Sequence, residues 1–499
     1  MLLLLLPALA ADLSDDFSTD QGLWTGGTVV DGVLRVADGP AVLDVGAVTS
    51  FTATLRVRMT TEGRLNLEAG GQPLQLEFSG PGAVLFGETR WPLPPEHVAW
   101  AGQADPVRER GDDYWDGGNV LHTEVFYDDE TATWFMYWTG EMKDGYPYRE
   151  IGVATSTDGV TWTAYPGNPV LSIDYDTTTV DGIHVHMPTV VREASGTWHM
   201  FYACYQNNVG NRICHATSRE GILWDPLGVV LDHGAAGEFD SGSLRMPDVW
   251  IDDGGTWHMW YDGTLPDEHY GPTGYATSPD GTTWTKHGAI LPAADALQGL
   301  SVWASPYGLV SFHNKDDYFR MATASKADPS VWTDGGVVLT KGWASWNDGY
   351  IQAPSVWVKD TTWKMWFNGY TYTEPAQERI GTAEAHAQPG GWLDVGLRWD
   401  GTTLTATVHG ADMTLATNGS TPLRVYAEGT AELDDLVLTT TVAGEDSGDT
   451  AADTAGGDTE ANPPGGGDEA DGCGCNGAGA PTAAGALVLG LAALRRRRR

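Results

Sequence analysis

Basic residues are scarce in this chain. Its 499 residues include 28 Lys and Arg against 67 Asp and Glu, a formal net charge of −39. Nucleic acid is thereby excluded as a partner, because phosphates are held by clustered Lys and Arg. The only basic cluster is Arg495–Arg499, at the very end. Charged residues of both signs are few, at 19%, while Gly numbers 64 and Trp 22. That balance suits an all-β protein full of turns, and the length calls for more than one domain. Long apolar runs are confined to the two ends. Cysteine is nearly missing, with four in all.

The ends read as targeting segments. Residues 1–11 carry Leu2–Leu6 and the small-residue site Ala8-Leu9-Ala10, a short secretory signal without a basic start. Residues 443–472 form a tract rich in Gly, Asp, Thr and Pro with no apolar periodicity, expected to be a disordered acidic linker. Cys473 and Cys475 follow, then an apolar run from Ala478 to Leu494, then the arginines. The run is barely long enough to cross a bilayer, and the arginines would stay cytoplasmic. This tail, 473–499, resembles the carboxy-terminal sorting signals of myxobacteria: a Cys motif, a short transmembrane helix and an Arg cluster. The resemblance implies export and membrane anchoring through the tail, at the outer surface of a Gram-negative cell.

Cys204 and Cys214 flank the polar turn Gln206–Asn211. Strands folding back about Val209 would set the two thiols face to face, as a cross-strand disulfide requires. The alternative is a pair of buried free thiols.

Residues 12–90 alternate in the manner of strands, as in Val33–Val36, Phe51–Val57 and Leu74–Leu76. The same pattern returns at 390–442, in Leu393–Trp399, Thr403–Val408 and Ala431–Leu438. Ser14-Asp15-Asp16-Phe17 and the Asp31-Gly32 turn resemble concanavalin-like, laminin-G-like sandwiches, in which the last strand usually lies beside the first. One discontinuous β-sandwich, 12–90 plus 390–442, is therefore expected, with a second domain inserted. Two small independent β domains are the alternative, each short for that role. Asp15, Asp16, Asp434 and Asp435 are candidate ligands of a structural calcium ion, with Asp16 and Asp434 as the central pair, or else they are turn caps. No other cofactor is required.

The insert, 96–387, is repetitive. An aromatic strand recurs as Trp134–Trp138, Trp198–Tyr202, Trp257–Tyr261 and Trp363–Phe367. A second strand follows it, as Ile151–Ser156, Ile213–Ser218, Gly274–Ser278, Met321–Ser325 and Ile380–Ala383. A Trp and a closing strand come next, as in Trp284–Leu291. The period is roughly 50–60 residues, the size of a four-stranded propeller blade. Five copies of the second motif predict five blades. The fifth lacks a closing strand, and the segment from Val98 to Val107 is expected to supply it from the front. Blade four, about Leu300–Leu339, is compressed and lacks the Trp-x-Met strand.

The turns Ser156-Thr-Asp158-Gly159-Val-Thr-Trp162 and Ser278-Pro-Asp280-Gly281-Thr-Thr-Trp284, on this scaffold, resemble those of the five-bladed glycosidase superfamily of arabinanases, xylosidases and β-fructosidases. Such turns are structural, the Asp accepting backbone N–H bonds and the Trp plugging between sheets. The resemblance implies a ligand funnel on the ring axis, lined by the innermost strands, near Val120–Tyr127, Val185–Val191, Leu244–Trp250, Ser301–Val310 and Ile351–Trp357. It also implies acids just before the inner-strand Pro of the first three blades. The matching residues here are His122, Met187 and Met246, none of them acidic.

Glycoside hydrolysis needs two carboxyl groups across the bond. Asp116, Asp181 and Asp240 recur upstream of the inner strands, with Asp348 at nearly the same offset, and are the expected acid and base or nucleophile. Their repetition also fits a turn cap. Glu124 interrupts the repeat. His184 and His186 alternate and so share one face. With His122, Glu124, Arg245, Tyr350 and Gln352 they make a polar funnel suited to hydroxyls or a carboxylate. The three histidines are also a set able to ligate a metal. Two readings of the chain stand beside each other: a monomeric cell-surface glycoside hydrolase acting on an oligosaccharide or polysaccharide, and a non-catalytic glycan-binding or adhesion protein on a degenerate scaffold. A purely structural surface protein is a third.

Overall fold

The computed structural model describes residues 12–15, 28–30, 33–36, 41–48, 50–59, 64–69, 72–77, 82–86, 88–143, 148–291, 296–315, 317–373, 376–388, 392–400, 402–416, 421–428 and 431–441. The signal segment, Asp16, the acidic linker and the tail with Cys473 and Cys475 lie outside the described residues. Among the described residues no helix is long and apolar enough to cross a membrane.

The protein is all-β. Five four-stranded blades form around one axis. Their innermost strands are Asn119–Asp128, His184–Arg192, Ser243–Ile251, Gln298–Ser305 and Tyr350–Lys359. Each touches the inner strand of the next blade, and the fifth returns to the first. The last blade runs Tyr350–Lys359, Thr362–Thr371, Gln377–Ala387, and its outer strand is Val98–Gly102 from the other end of the insert. Val98 pairs with Ala387 and Gly102 with Ala383. Both ends of the ring are thus hydrogen-bonded into one sheet, which leaves no long free edge between first and last blade.

The aromatic strands hold blade to blade. Trp366 Nε1 donates to Gly159 O across 3.1 Å, Tyr137 Oη to Gly221 O across 2.7 Å, and Trp260 Nε1 to Pro329 O across 3.1 Å. Each ring is fully buried, a contribution of up to about 3 kcal/mol, and its polar atom meets the turn of the neighbouring blade. The turns are built as their sequence implies. Asp158 Oδ1 accepts from Val160 N and Thr161 N, and Asp280 Oδ1 from Thr282 N and Thr283 N.

Three local expectations are corrected. The inner strand of blade four is Gln298–Ser305, and the chain turns back at Pro306–Tyr307, so residues beyond Ser305 belong to the second strand, Gly308–Lys315. Leu309 and Ser311 stand there at the buried places of the missing Trp and Met, and Phe312 pairs with Ser301 as Trp260 does with Asp248. Blade one has only Thr163–Ala164 as an outer strand. The Asn168 side chain replaces the ladder, accepting from Val153 N and donating to Val153 O, both at 2.9 Å. Cys204 and Cys214 are joined in a disulfide, but on a diagonal. The hairpin centres on Asn208, which has φ 60°, so Cys204 stands opposite Arg212 and Cys214 opposite Tyr202. Asn tolerates that left-handed conformation where Val209 would resist it.

Two further sheets flank the insert in sequence. One contains Ser50–Met59 paired with Leu393–Trp399 on one side and Ala431–Thr441 on the other. Asp12–Asp15 pairs with the same Ala431–Thr441 strand. The other pairs Ala41–Val48 and Arg64–Ala69 with Thr421–Glu428. Phe51, Ala53, Leu55 and Val57 alternate inward from the first sheet, and Leu74 and Leu76 are buried from the second. The Asp434 side chain lies outside the described residues, as Asp16 does entirely. Tyr307 of blade four donates to Pro92 O at 2.8 Å, tying the ring to the segment that leads into it.

Candidate functional site

Every inner strand carries the same irregularity. One residue takes a positive φ: His122 at 46°, Met187 at 57°, Met246 at 48°, Gly299 at 53° and Ala353 at 50°. The strand register shifts at each of these points. For a non-glycine residue this conformation costs about 1–3 kcal/mol. The bulge is held by two sets of hydrogen bonds from blade to blade.

The first set comes from the residue two places after the bulge tip. Ser355 Oγ accepts from Val125 N at 2.9 Å, Glu124 Oε1 from Val190 N at 3.4 Å, Asp248 Oδ2 from Val302 N at 3.0 Å, and Ser301 Oγ from Val356 N at 3.1 Å. The second set comes from the aromatic strands. Thr139 Oγ1 accepts from Met187 N at 3.0 Å, Asn314 Oδ1 from Ala353 N at 3.4 Å, and Asn368 Oδ1 from Thr123 N at 3.2 Å. Asp262 holds the matching place in blade three and accepts from Gly299 N.

Glu124 is therefore an inter-blade latch, and with His122 and Asp248 it lines a small pocket among the bulge tips. Burial and the Asp248 charge push its carboxyl up to about 8, and burial lifts Asp248 to about 7.

Above the bulges a cavity of about 730 Å³ opens between blades three, four and five. Arg245, Asp262, Gln298, Asn314, Tyr350 and Gln352 contribute to its wall. Three of the sequence-predicted binding residues, Arg245, Tyr350 and Gln352, thus meet in one cavity. Tyr350 Oη donates to Glu378 Oε1 at 2.5 Å and Gln352 Nε2 to Glu378 Oε2 at 3.4 Å. Burial pushes the Glu378 carboxyl up to about 7 against the pull of Tyr350 and Arg149.

His122, His184 and His186 cluster on the inner strands of blades one and two, and none of them is in the lining of that cavity. The His122 and His186 rings are 6.1 Å apart, and those of His184 and His186 5.3 Å. His186 Nε2 meets Asn211 Oδ1 at 2.9 Å, while Asn211 Nδ2 donates to Ser243 Oγ. That arrangement assigns the ring proton of His186 to Nε2 and leaves Nδ1 as an acceptor. Burial, then the nearby Arg149 and Arg245 charges, lowers His122 to about 3, and burial with Arg149 lowers His184 to about 4. The three imidazoles are uncharged at neutral pH. Among the described residues, the one set of three His, Cys, Asp or Glu with converging donor atoms is Asp181, Cys204 and Cys214, and those sulfurs are bonded to each other. The histidine trio does not converge in that way.

Asp116, Asp181 and Asp240, the acids expected as the catalytic set, are placed elsewhere. None lines the funnel cavity. Asp116 is bound to Arg108 Nη2 at 2.9 Å, with that guanidinium 3.6 Å from the Trp138 ring centre. Asp240 accepts from Tyr261 Oη at 3.0 Å and from Lys286 Nζ at 2.7 Å. Asp181 lies against the disulfide sulfurs, and burial lifts it to about 6. The fifth-blade equivalent is Asn347, not Asp348: Asn347 Oδ1 accepts from Gly342 N at 3.0 Å. Trp115-Asp116, Phe239-Asp240 and Trp346-Asn347 each pack on a glycine of the aromatic strand, Gly140, Gly263 and Gly369. A Cβ there would come within 2.4 Å of the aromatic ring. These acids anchor loops onto blades.

Sequence reasoning missed Asp262 and Glu378. Asp262 is 6% exposed, and its Oδ1 has no hydrogen-bond partner. Burial pushes its carboxyl up to about 7 while Arg245 pulls the other way. The signal was present: Asp262 is the acidic member of a position filled by Thr139, Asn314 and Asn368 in other blades.

No family model and no curated protein matches the chain. Among solved structures it is similar to a family 117 glycoside hydrolase, Zg3597, of the marine bacterium Zobellia galactanivorans, at 15% identity and TM-score 0.46, covering 58% of this chain and 91% of that one. It is similar to a glycosyl hydrolase from Bacteroides ovatus at 16% identity and TM-score 0.46, covering 60% and 99%. A third similar structure represents the family 130 mannoside phosphorylases, a family containing glycoside hydrolases that target β-1,2 mannosidic linkages in Candida mannan, at 17% identity, TM-score 0.46, 60% and 99% coverage. These likenesses concern the fold alone.

Proposed function

We propose that this protein receives a glycan in the cavity between blades three, four and five and cleaves a glycosidic bond there, with Asp262 as the proton donor. One observation carries the reading. At Asp262's latch position an amide or hydroxyl serves in other blades, so the ionisable group is surplus to the fold. One of its oxygens lacks a partner, and its carboxyl is lifted to about 7. A protonated carboxylic acid at working pH is what the leaving oxygen of a glycoside needs. Water attacks the anomeric carbon as Asp262 protonates the leaving oxygen, and Glu378, held behind the wall by Tyr350 and Gln352, takes the water's proton by way of Tyr350 Oη. Arg245, Gln298 and Asn314 offer hydrogen bonds to sugar hydroxyls.

The test is release of reducing sugar from a polysaccharide panel by the wild type and by Asp262→Asn. Loss of at least a hundredfold in the variant, with the fold intact, is the expected result. Equal activity in both removes Asp262 from the chemistry. A second reading is a glycan-binding protein without catalysis. Its support is the His122, Met187 and Met246 tips, which carry no acid. Binding to an immobilised glycan with no product release from any substrate would select it. Export and anchoring through the 473–499 tail complete the proposal. The Cys204–Cys214 disulfide supports an oxidising compartment.

A further inference from the structure

The funnel has an aromatic exit. Tyr350, on the cavity wall, stacks on Tyr370 with ring centres 4.9 Å apart and planes 12° from parallel. Tyr370 in turn meets Tyr372 edge to face at 5.3 Å. Tyr372 is 70% exposed, so the three rings lead from the enclosed wall to open solvent. The chain makes room for them at Gly349. A Cβ there would stand 2.9 Å from the Tyr370 ring and 3.2 Å from the Tyr372 ring. Thr373, next to Tyr372, donates to Asp348 Oδ2 at 3.3 Å, which ties the exposed ring's loop to the start of the inner strand. Across the cavity, Tyr270 is on the wall and 72% exposed.

We propose that Tyr372 is an outer sugar subsite, and that the ligand of the funnel is therefore a chain of several sugars rather than a mono- or disaccharide. This rests on the reading of the cavity as a glycan site. A large apolar ring held in solvent by its neighbours has no folding purpose, because burial would stabilise it. Tyr presents a flat apolar face and a polar tip, and the C–H face of a pyranose or furanose covers such a ring while its hydroxyls stay wet. The ring ladder also fixes direction. A chain with one unit among Arg245, Asp262 and Gln352 would pass Tyr350 and leave over Tyr372. The charged groups beside that exit include Asp348, which is bonded to Thr373; Lys315, on the cavity wall; and Asp317 with Lys341, which are joined to each other at 2.5 Å.

The experiment is binding by calorimetry of a size series, from disaccharide to hexasaccharide, cut from whichever of arabinan, xylan, mannan or pectin the full-length protein binds. Wild-type affinity should rise with length until the outer subsite is filled and then level off. Tyr372→Ala should lose about tenfold for the long members and nothing for the shortest, while Tyr372→Phe keeps the wild-type profile. Uniform weakening at every length, or no change at any length, overturns the subsite. A wild type that binds none of these glycans overturns the glycan reading itself, a result distinct from a flat length series. Tyr372 is exposed, so folding of the variants is checked simply by an unchanged melting temperature.

Discussion

Asp262 and Asn314 do the same work in successive blades: each side chain accepts the backbone N–H of the next blade's bulge tip, Gly299 and Ala353 respectively. One is an acid and the other an amide. The fold does not need an acid at this place, since blade two has Ala203 there.

Asp262→Asn should therefore keep the latch and leave stability within about 1 kcal/mol of wild type, whereas Asp262→Ala should lose about 1–3 kcal/mol by orphaning Gly299 N. Denaturant melts of both variants check this. A large loss in the Asn variant would mean that the carboxylate itself is structural.

The loop anchors should behave in the opposite way. Asp240→Asn weakens the bond to Lys286 and should cost about 1–3 kcal/mol, with glycan affinity unchanged per folded molecule. Thermal melting paired with binding measures both. Intact stability with lost activity would return Asp240 to the chemistry.

Stability should fall as pH rises across the neutral range, in part because of the axis. Glu124 and Asp248 hold their protons to about 8 and about 7 in the fold. An unfolded chain releases carboxyl protons near its ordinary range, about 4. Their contribution is thus present in acid and lost between roughly pH 4 and 8. His122 and His184 act in the other sense. Lowered to about 3 and about 4, they are charged more readily in the unfolded chain, so their share of stability is lost as pH drops below about 6.5. Melting temperature against pH should show a maximum between these limits. Glu124→Gln should flatten the alkaline side of that curve and leave the acid side in place.

Reduction should destabilise blade two. The Cys204–Cys214 bridge closes a hairpin whose two cysteines are fully buried. Cys204→Ala with Cys214→Ala should lose about 2–4 kcal/mol, and dithiothreitol should lower the wild-type melting temperature while leaving that of the double variant alone.

The ring was legible because its signals are local and repeated. The Asp158 and Asp280 turns and the phase of the aromatic strands need no long-range information. Even the outer strand Val98–Gly102 follows from a motif missing in one place and present in another. The site was legible only in part. Arg245, Tyr350 and Gln352 alternate on inner strands, so strand periodicity alone points them together. Asp262 lies on a second strand and reaches the cavity, while Glu378 lies on a third strand behind Tyr350 and Gln352, and inner-strand periodicity points to neither. A bulge tip such as His122 or Met246 has no distinctive composition. Counting repeated acids favoured Asp116 and Asp240, which repeat because blades one, three and five pin their incoming loops in the same way.

The pairing of Ser50–Met59 with Leu393–Trp399 and Ala431–Thr441 has a consequence for biosynthesis. That early strand leaves the ribosome with Phe51, Leu55 and Val57 uncovered, and its partners are made only after the whole ring has been translated. Any nascent chain stalled before residue 393 therefore carries an unpaired strand with an apolar face, an edge open to pairing with other chains for as long as synthesis of the insert lasts.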